Sequence, residues 1–225
     1  MMRVLEPALR QGLSDLALAL SDAQVTSLLD YLDLIGKWTK VYNLTAVRDP
    51  NEMLTHHLLD SLAVIAPLRQ QLAVMGAGQG DGSNAKPGVR LLDVGSGAGL
   101  PGIVIAICCP DITVHCVDTV AKKAAFIQQV AVSLRLPNLR GVHARVESLK
   151  EPYDVVSSRA FASLLDFTNW SGAALAEQGV WMAMKGKHPE QELAALPAAV
   201  TVFHVEQLQV PGLGAERCIV WMRKG

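Results

Sequence analysis

Three carboxylates and three glycines carry the chemistry that this sequence suggests. Asp93, Asp118 and Glu147 each stand at or just after the end of an apolar, strand-like run. Gly95, Gly97 and Gly99 follow the first of them within LLDVGSGAGLPG, Leu91 to Gly102. One apolar run, Val89 to Val94, enters this turn and another, Leu100 to Cys109, leaves it, so the order is strand, tight loop, helix. Glycine has no Cβ, so the chain can bend sharply and a flat ligand can lie against the main chain. A dinucleotide's pyrophosphate wants G-x-G-x-x-G at the head of the helix. The last glycine of that pattern falls on Leu100, and Asp93 would repel a pyrophosphate but suit an ammonium group. Asp118, ending HCVD, can accept two hydrogen bonds from a ribose diol. Val146 and Glu147, after the third strand, offer an adenine an apolar contact and an acceptor for its amino group.

The loop resembles the D-x-G-x-G motif of the Rossmann-like methyltransferases that use S-adenosylmethionine, in which it cradles the methionine part and the ribose. A nicotinamide-dependent oxidoreductase is the competing class, and Leu100 and Asp93 argue against it. The fourth strand ends in SSRAFASL, which puts Arg159 where a substrate-facing residue belongs. Methyltransferases acting on exocyclic amines usually carry (N/D)-P-P-(Y/F) at that point, and this chain does not. Those acting on pyrimidine carbon use a Cys after Pro or Thr; Cys109-Pro110 has the reverse order. A substrate nucleophile with its own in-plane lone pair remains, needing neither proton removal nor covalent activation.

The elements that must position these residues follow from pattern. Ser21 with Gln24 forms a capping box, and Val25, Leu28, Leu29, Leu32 and Ile35 recur at helical spacing, which predicts a helix over Asp22 to Lys40 after a shorter one over Pro7 to Leu13. Asp49 caps the next helix, with Pro50 in its first turn, running through MLTHHLLDSLAVI. Residues 1–75 read as an N-terminal helical cap, 76–88 as a glycine-rich flexible linker and 89–225 as the core. In the core, strands near Val89 to Val94, Ile112 to Asp118, Arg140 to Ala144, Tyr153 to Ser158 and Gly179 to Met184 alternate with helices near Gly102 to Cys109, Val120 to Leu134 and Ser163 to Leu175. A short helix over Glu190 to Leu196 precedes an antiparallel pair, Val200 to Val210 and Arg217 to Arg223. The expected fold is α/β: a mostly parallel, seven-stranded, Rossmann-like sheet with an antiparallel last strand.

Composition narrows the function further. With 225 residues, one core with an appendage is the natural organisation. No apolar run approaches the roughly 20 residues of a membrane span, and the N-terminus with Glu6 and Asp15 reads as mature protein, so a cytoplasmic location is expected. Cys108, Cys109, Cys116 and Cys218 lie in apolar segments and read as buried thiols. His56, His57 and Asp60 invite a metal, but adjacent histidines face different sides and no third ligand is near, so none is expected. Trp38, Trp170, Trp181 and Trp221 read as core residues. A net charge of -1 means that any nucleic acid must be held by a local basic patch.

KWTKVYNLTAVRDPNEML, HHLLDSL, LLDVGSGAGLPG, SSRAFASL, MKGK and LQVPGLGAERCIV, spread from Lys37 to Val220, together resemble the bacterial small-subunit ribosomal RNA guanine-N7 methyltransferases known as RsmG or GidB. The extreme N-terminus and the 76–88 segment match poorly, and the latter is longer than expected for the family. The resemblance implies S-adenosylmethionine as cofactor, with its positions at Gly95, Leu100, Val146, Glu147 and Arg159; Asp93, Gly97 and Asp118 join them from the residue-level reading. The substrate implied is small-subunit ribosomal RNA, and near-neutral charge points to a partly or fully assembled subunit bound by a monomer. An RNA helix hides guanine N7 in a deep, narrow groove, so the target guanine is expected to be unpaired or flipped. Lys185, in MKGK, and Arg159 are the candidate catalytic residues; Arg145, Lys185 and Arg217 can grip phosphate or guanine O6, with Asn43 and His57 approaching from the cap. A non-catalytic RNA-binding or regulatory protein on the same fold is the alternative.

Overall fold

The computed structural model describes residues 2–77 and 88–225; most of the 76–88 linker expected from composition lies outside the described residues. A 3-10 turn, Met2–Leu5, leads into α1, Glu6–Asp15, and α2, Asp22–Tyr42. The predicted capping box starts α2: Gln24 N donates to Ser21 Oγ and Ser21 N to Gln24 Oε1. Asn43 closes α2 in the left-handed region, φ 49 and ψ 49. Asp49 accepts from the amides of Asn51 and Glu52 and so caps α3, Pro50–Met53. The chain then runs through a π-helical stretch, Leu54–Leu59, into α4, Asp60–Leu62, and α5, Ile65–Ala77. By length and apolarity the 27-residue run Pro50–Gly76 could cross a membrane, which the sequence reading did not anticipate. Here it is a wall of the core: Leu54, Leu58, Leu62, Ile65 and Leu68 are buried with Leu28 and Leu32 of α2.

The sheet comprises β1 Arg90–Val94, β2 Thr113–Asp118, β3 Leu139–His143, β4 Tyr153–Arg159, β5 Leu175–Lys185, β6 Val200–Leu208 and β7 Arg217–Lys224, in the order β3-β2-β1-β4-β5-β7-β6. The first five strands are parallel and β7 runs antiparallel between β5 and β6. Helices α6 Gly102–Cys108, α7 Ala121–Ser133, α8 Leu164–Ser171 and α9 Glu190–Ala194 complete the chain. α8 ends earlier and β5 begins earlier than the sequence suggested. Leu175 already pairs with Tyr153, and a register shift between Tyr153 and Val155 absorbs the extra residues.

Each face of the sheet buries its own apolar cluster. Ile103, Val104, Phe126 and Ile127 meet the N-terminal helices on one face, while Leu92, Val156, Phe167 and Trp181 pack on the other. Burying a side chain of this size contributes about 1.5–3 kcal/mol. All four cysteines are free and buried, as expected, and burial pushes the Cys108 thiol up to about 12. Strand order reverses between β1 and β4, and in open α/β sheets such a switch point leaves a crevice beyond the strand tips.

Candidate active site

Two cavities open at this switch point and share Gly95 and Ala160 as their common wall. The first, about 550 Å³, lies between the N-terminal helices and the tips of β1, β4, β5 and β7. The second, about 380 Å³, lies over the tips of β1 and β2 and the turn after β3. The glycine loop that divides them is anchored from several sides. Gly95 N and Ser96 N donate to Val117 O, Gly97 N donates to Asp118 Oδ2 at 3.1 Å, and the buried Tyr31 hydroxyl of α2 donates to Ala98 O at 2.7 Å. Gly95 and Gly97 have φ of 63° and 59°, a region that side chains with a Cβ rarely adopt. A Cβ on Gly95 would meet the Phe161 ring, whereas one on Gly97 would meet nothing, so the space above Gly97 is open to a ligand.

The second cavity collects Val117, Asp118, Val146 and Glu147. Asp118 Oδ1 accepts from Val120 N at 2.9 Å, and Lys123 Nζ stands 3.6 Å from Oδ2. Arg145 donates to Glu147 at 2.8 Å and holds its carboxyl below the usual range. Arg145, at 76% side-chain exposure, belongs to this cavity and not to the cationic mouth expected for it. Phe161 and Trp170, with centroids 5.9 Å apart, complete the wall. Trp170, expected in the core, is 40% exposed because it sits on the outer face of α8.

The first cavity brings together Leu100, His57, Arg159, Lys185 and Arg217, drawn from both parts of the chain. Arg159 Nη1 donates to Asp60 Oδ2 at 2.7 Å and to His56 O, and Arg217 Nε donates to Asp60 Oδ1 at 2.9 Å. Lys185 Nζ donates to Ala162 O and to Glu192 Oε2 of α9, and the same Glu192 oxygen accepts from Leu164 N at the start of α8. His57 is buried, with Nε2 3.0 Å from Thr45 Oγ1 and, among the described residues, no partner for Nδ1. Burial, reinforced by the charge of Arg159, lowers its pKa to about 4.

Two expected contacts take another form. Asn43 does not line the cavity; it ends α2 and accepts from Arg48, leaving Leu44 and Thr45 on the wall. Asp93 lines neither cavity, so direct contact with a ligand's ammonium group is not open to it in this geometry. It is fully buried, accepting from Ser157 Oγ at 2.8 Å and Gly102 N at 3.0 Å. Burial raises its pKa to about 6, offset in part by those two hydrogen bonds. Because its carboxylate takes an amide at the head of α6, that helix end is not free for a pyrophosphate, which adds to the case against a nicotinamide cofactor.

Asp60, considered in the sequence only as a metal ligand, is the site residue that sequence reasoning missed. Its signal was a carboxylate on the apolar side of HHLLDSL, where a charge needs a partner. Both oxygens go to arginines, and among the described residues no group of His, Cys, Asp or Glu is arranged to hold a metal. The π-helical stretch that carries His56 and His57 had no sequence signal; such segments recur at functional sites.

The strand order with its antiparallel β7 is the Rossmann-like methyltransferase fold. Solved structures share the architecture: TrmN from Thermus thermophilus, with TM-score 0.54 and 19% identity over 76% of this chain and 53% of that one, and a SAM dependent methyltransferase from Aquifex aeolicus, with TM-score 0.50 and 16% identity over 77% and 97%. The model of the GidB family, described as rRNA small subunit methyltransferase G, matches residues 24–220, and this chain belongs to that family. The ribosomal RNA small subunit methyltransferase G of Albidiferax ferrireducens is 71% identical, covering 99% of both chains. That of Methylibium petroleiphilum is 57% identical, covering 99% of this chain and 96% of its own.

Proposed function

We propose that the protein transfers a methyl group from S-adenosylmethionine to N7 of a guanine in small-subunit ribosomal RNA. The observation that carries this is the partition at Gly95 and Ala160: carboxylates of nucleoside-binding type on one side, a cation-rich wall on the other. The cofactor fits the residues present. Gly97 leaves an uncrowded surface, Asp118 offers a ribose acceptor, and Val146 with Glu147 offers an adenine an apolar contact and an acceptor. Gly95 and Leu100 form the bend between the two cavities, where Arg159 also lies. When bound, the cofactor supplies an electrophilic methyl group on a sulfonium.

Guanine N7 carries its own lone pair, so the protein's task is alignment, with no base needed to remove a proton. Arg159 and Lys185 face the first cavity and are the candidate catalytic residues, their positive charge placed to hold guanine O6 or a neighbouring phosphate. Arg217 and His57 line the same wall, and Arg145 and Asn43 lie outside it as outer RNA contacts. Residues 1–75 act as the cap over a core of 89–225, joined by the linker 76–88. The working protein is a monomer acting in the cytoplasm, and its target guanine is unpaired or flipped in an assembled or partly assembled subunit.

The test is incubation with methyl-labelled cofactor and naked RNA, protein-bound RNA or whole small subunits, followed by digestion to nucleosides. Label should appear in 7-methylguanosine, most from the assembled particle. Label in another nucleoside would refute the N7 assignment, and label on naked RNA alone would refute the particle.

A further inference from the structure

Gly95 and Gly97 let the loop between β1 and α6 turn at positive φ, and the same freedom lets it leave that shape unless something holds it. Two holds come from β2. Val117 O accepts from Gly95 N and Ser96 N, and Asp118 Oδ2 accepts from Gly97 N. The third comes from the N-terminal helices, where Tyr31 Oη of α2 donates to Ala98 O at 2.7 Å across 67 residues of sequence. Among the described residues no other donor reaches Ala98 O. Tyr31 and Ala98 are both buried, and a buried carbonyl left unpaired is costly. Burial pushes the Tyr31 hydroxyl well above its usual ionisation range, so it keeps the proton that it donates. The ring is seated independently of this bond, stacked on Phe126 of α7 with centroids 6.4 Å apart. α2 also holds the far end of α6, where Gln24 Nε2 donates to Ile107 O and Cys108 O.

We propose that Tyr31 is a positioning residue for the cofactor: from the N-terminal helices its hydroxyl holds the glycine loop in the shape that S-adenosylmethionine binds. The inference rests on the S-adenosylmethionine reading of this loop. Without the hydroxyl, Ala98 O has to find another donor, and the unliganded loop relaxes toward conformations in which it does. Binding then has to rebuild the original shape, and that cost appears as lost affinity. A hydroxyl that served the fold alone would be missed equally by the free and the bound protein, and affinity would not change. Among the described residues no α2 side chain lines either cavity, so α2 acts on the cofactor only through the loop.

The experiment compares wild type with Tyr31→Phe, which keeps the ring and removes only the hydroxyl, and with Gln24→Ala, which loosens the same helix at its other contact with α6. Three readouts are taken: affinity for S-adenosylmethionine by calorimetry, stability by denaturant melts, and single-turnover methyl transfer to ribosomal RNA at saturating cofactor. Affinity of Tyr31→Phe should fall roughly five- to thirtyfold, the range that one lost buried hydrogen bond spans, while transfer at saturating cofactor stays within about threefold of wild type. Gln24→Ala should lose stability and keep cofactor affinity within about twofold. Wild-type affinity in Tyr31→Phe would overturn the proposal. So would an equal loss of affinity in Gln24→Ala, since the helices would then be loosening as a whole. If Tyr31→Phe does not fold, hydrogen exchange in wild type decides: cofactor should slow exchange in α2 around Tyr31 more than in α1, and equal slowing would refute the link. No affinity of wild type for S-adenosylmethionine would remove the underlying reading and the inference with it. Binding by wild type beside unchanged binding by Tyr31→Phe would remove the inference alone.

Discussion

In the second cavity the charged groups are a carboxylate at a strand tip with Lys123 beside it and an ion pair, Arg145 with Glu147, that faces water. In the first, two arginines close on one buried carboxylate beneath a buried histidine, and a lysine is held by Glu192. The cavities share the same glycine loop and both open to solvent, yet one carries at its rim an ion pair that faces water and the other an interlocked, largely buried ion-pair network. A nucleoside needs acceptors it can reach from solvent, whereas an RNA strand brings many charges of its own and demands cations whose geometry is already fixed. Changes to the network should therefore be felt in pH response and transfer, and changes to the rim in cofactor affinity.

The largest expected effect is on stability against pH. Burial raises Asp93 from 3.8 to about 6, so the folded state holds its proton longer than the unfolded chain and stability falls as pH rises across that window. His57, lowered from 6.5 to about 4, acts in the opposite sense, and stability rises as pH rises from about 4 to 6.5. Each contribution is about 3 kcal/mol, so in wild type they largely cancel. Denaturant melts between pH 4 and 6.5 should show Asp93→Asn gaining stability with pH relative to wild type, and His57→Gln losing it. Parallel curves for all three proteins would mean that neither group is perturbed.

Next in size is Gly97→Val. The open space above Gly97 admits the new side chain, which fills the ligand surface, and the positive φ strains the loop that carries it. Calorimetry should show cofactor affinity falling by roughly 100-fold, or about 2.7 kcal/mol. Unaltered affinity would show that the ligand does not lie on this loop. Lys185→Ala should slow methyl transfer by at least about tenfold, the effect of losing one charge-assisted hydrogen bond, with cofactor affinity within about twofold. Equal single-turnover rates would refute its role. Smallest is Arg145→Ala: its ion pair with Glu147 faces water, where such pairs are worth little, so cofactor affinity should change less than about fivefold. A larger loss would mean that the rim is tighter than its exposure implies.

The fold was legible because its signals are local. Ser21 with Gln24, Asp49 with Pro50, and the strand-glycine-helix turn at Asp93 to Gly102 each satisfy backbone requirements within a few residues, and the structure forms all three. What escaped was decided by contacts across long separations. Asp60 meets Arg159 and Arg217 only because α4 packs over the strand tips, and Arg145 turns away because Glu147 is two residues on. Asp93 was read as facing a ligand, but the depth of β1 between β2 and β4 encloses it. Trp170 has apolar sequence neighbours, and only the orientation of α8 puts its ring at the second cavity.

The partition between the cavities is tested most directly by a crystal structure with S-adenosylhomocysteine, the cofactor's demethylated form. The adenosine should lie against Asp118, Val146 and Glu147, with the amino-acid end entering the first cavity over Gly97 toward Arg159 and leaving the side of that cavity lined by Lys185 and Arg217 for a base. Adenosine seated among Arg159, Lys185 and Arg217 would contradict the partition.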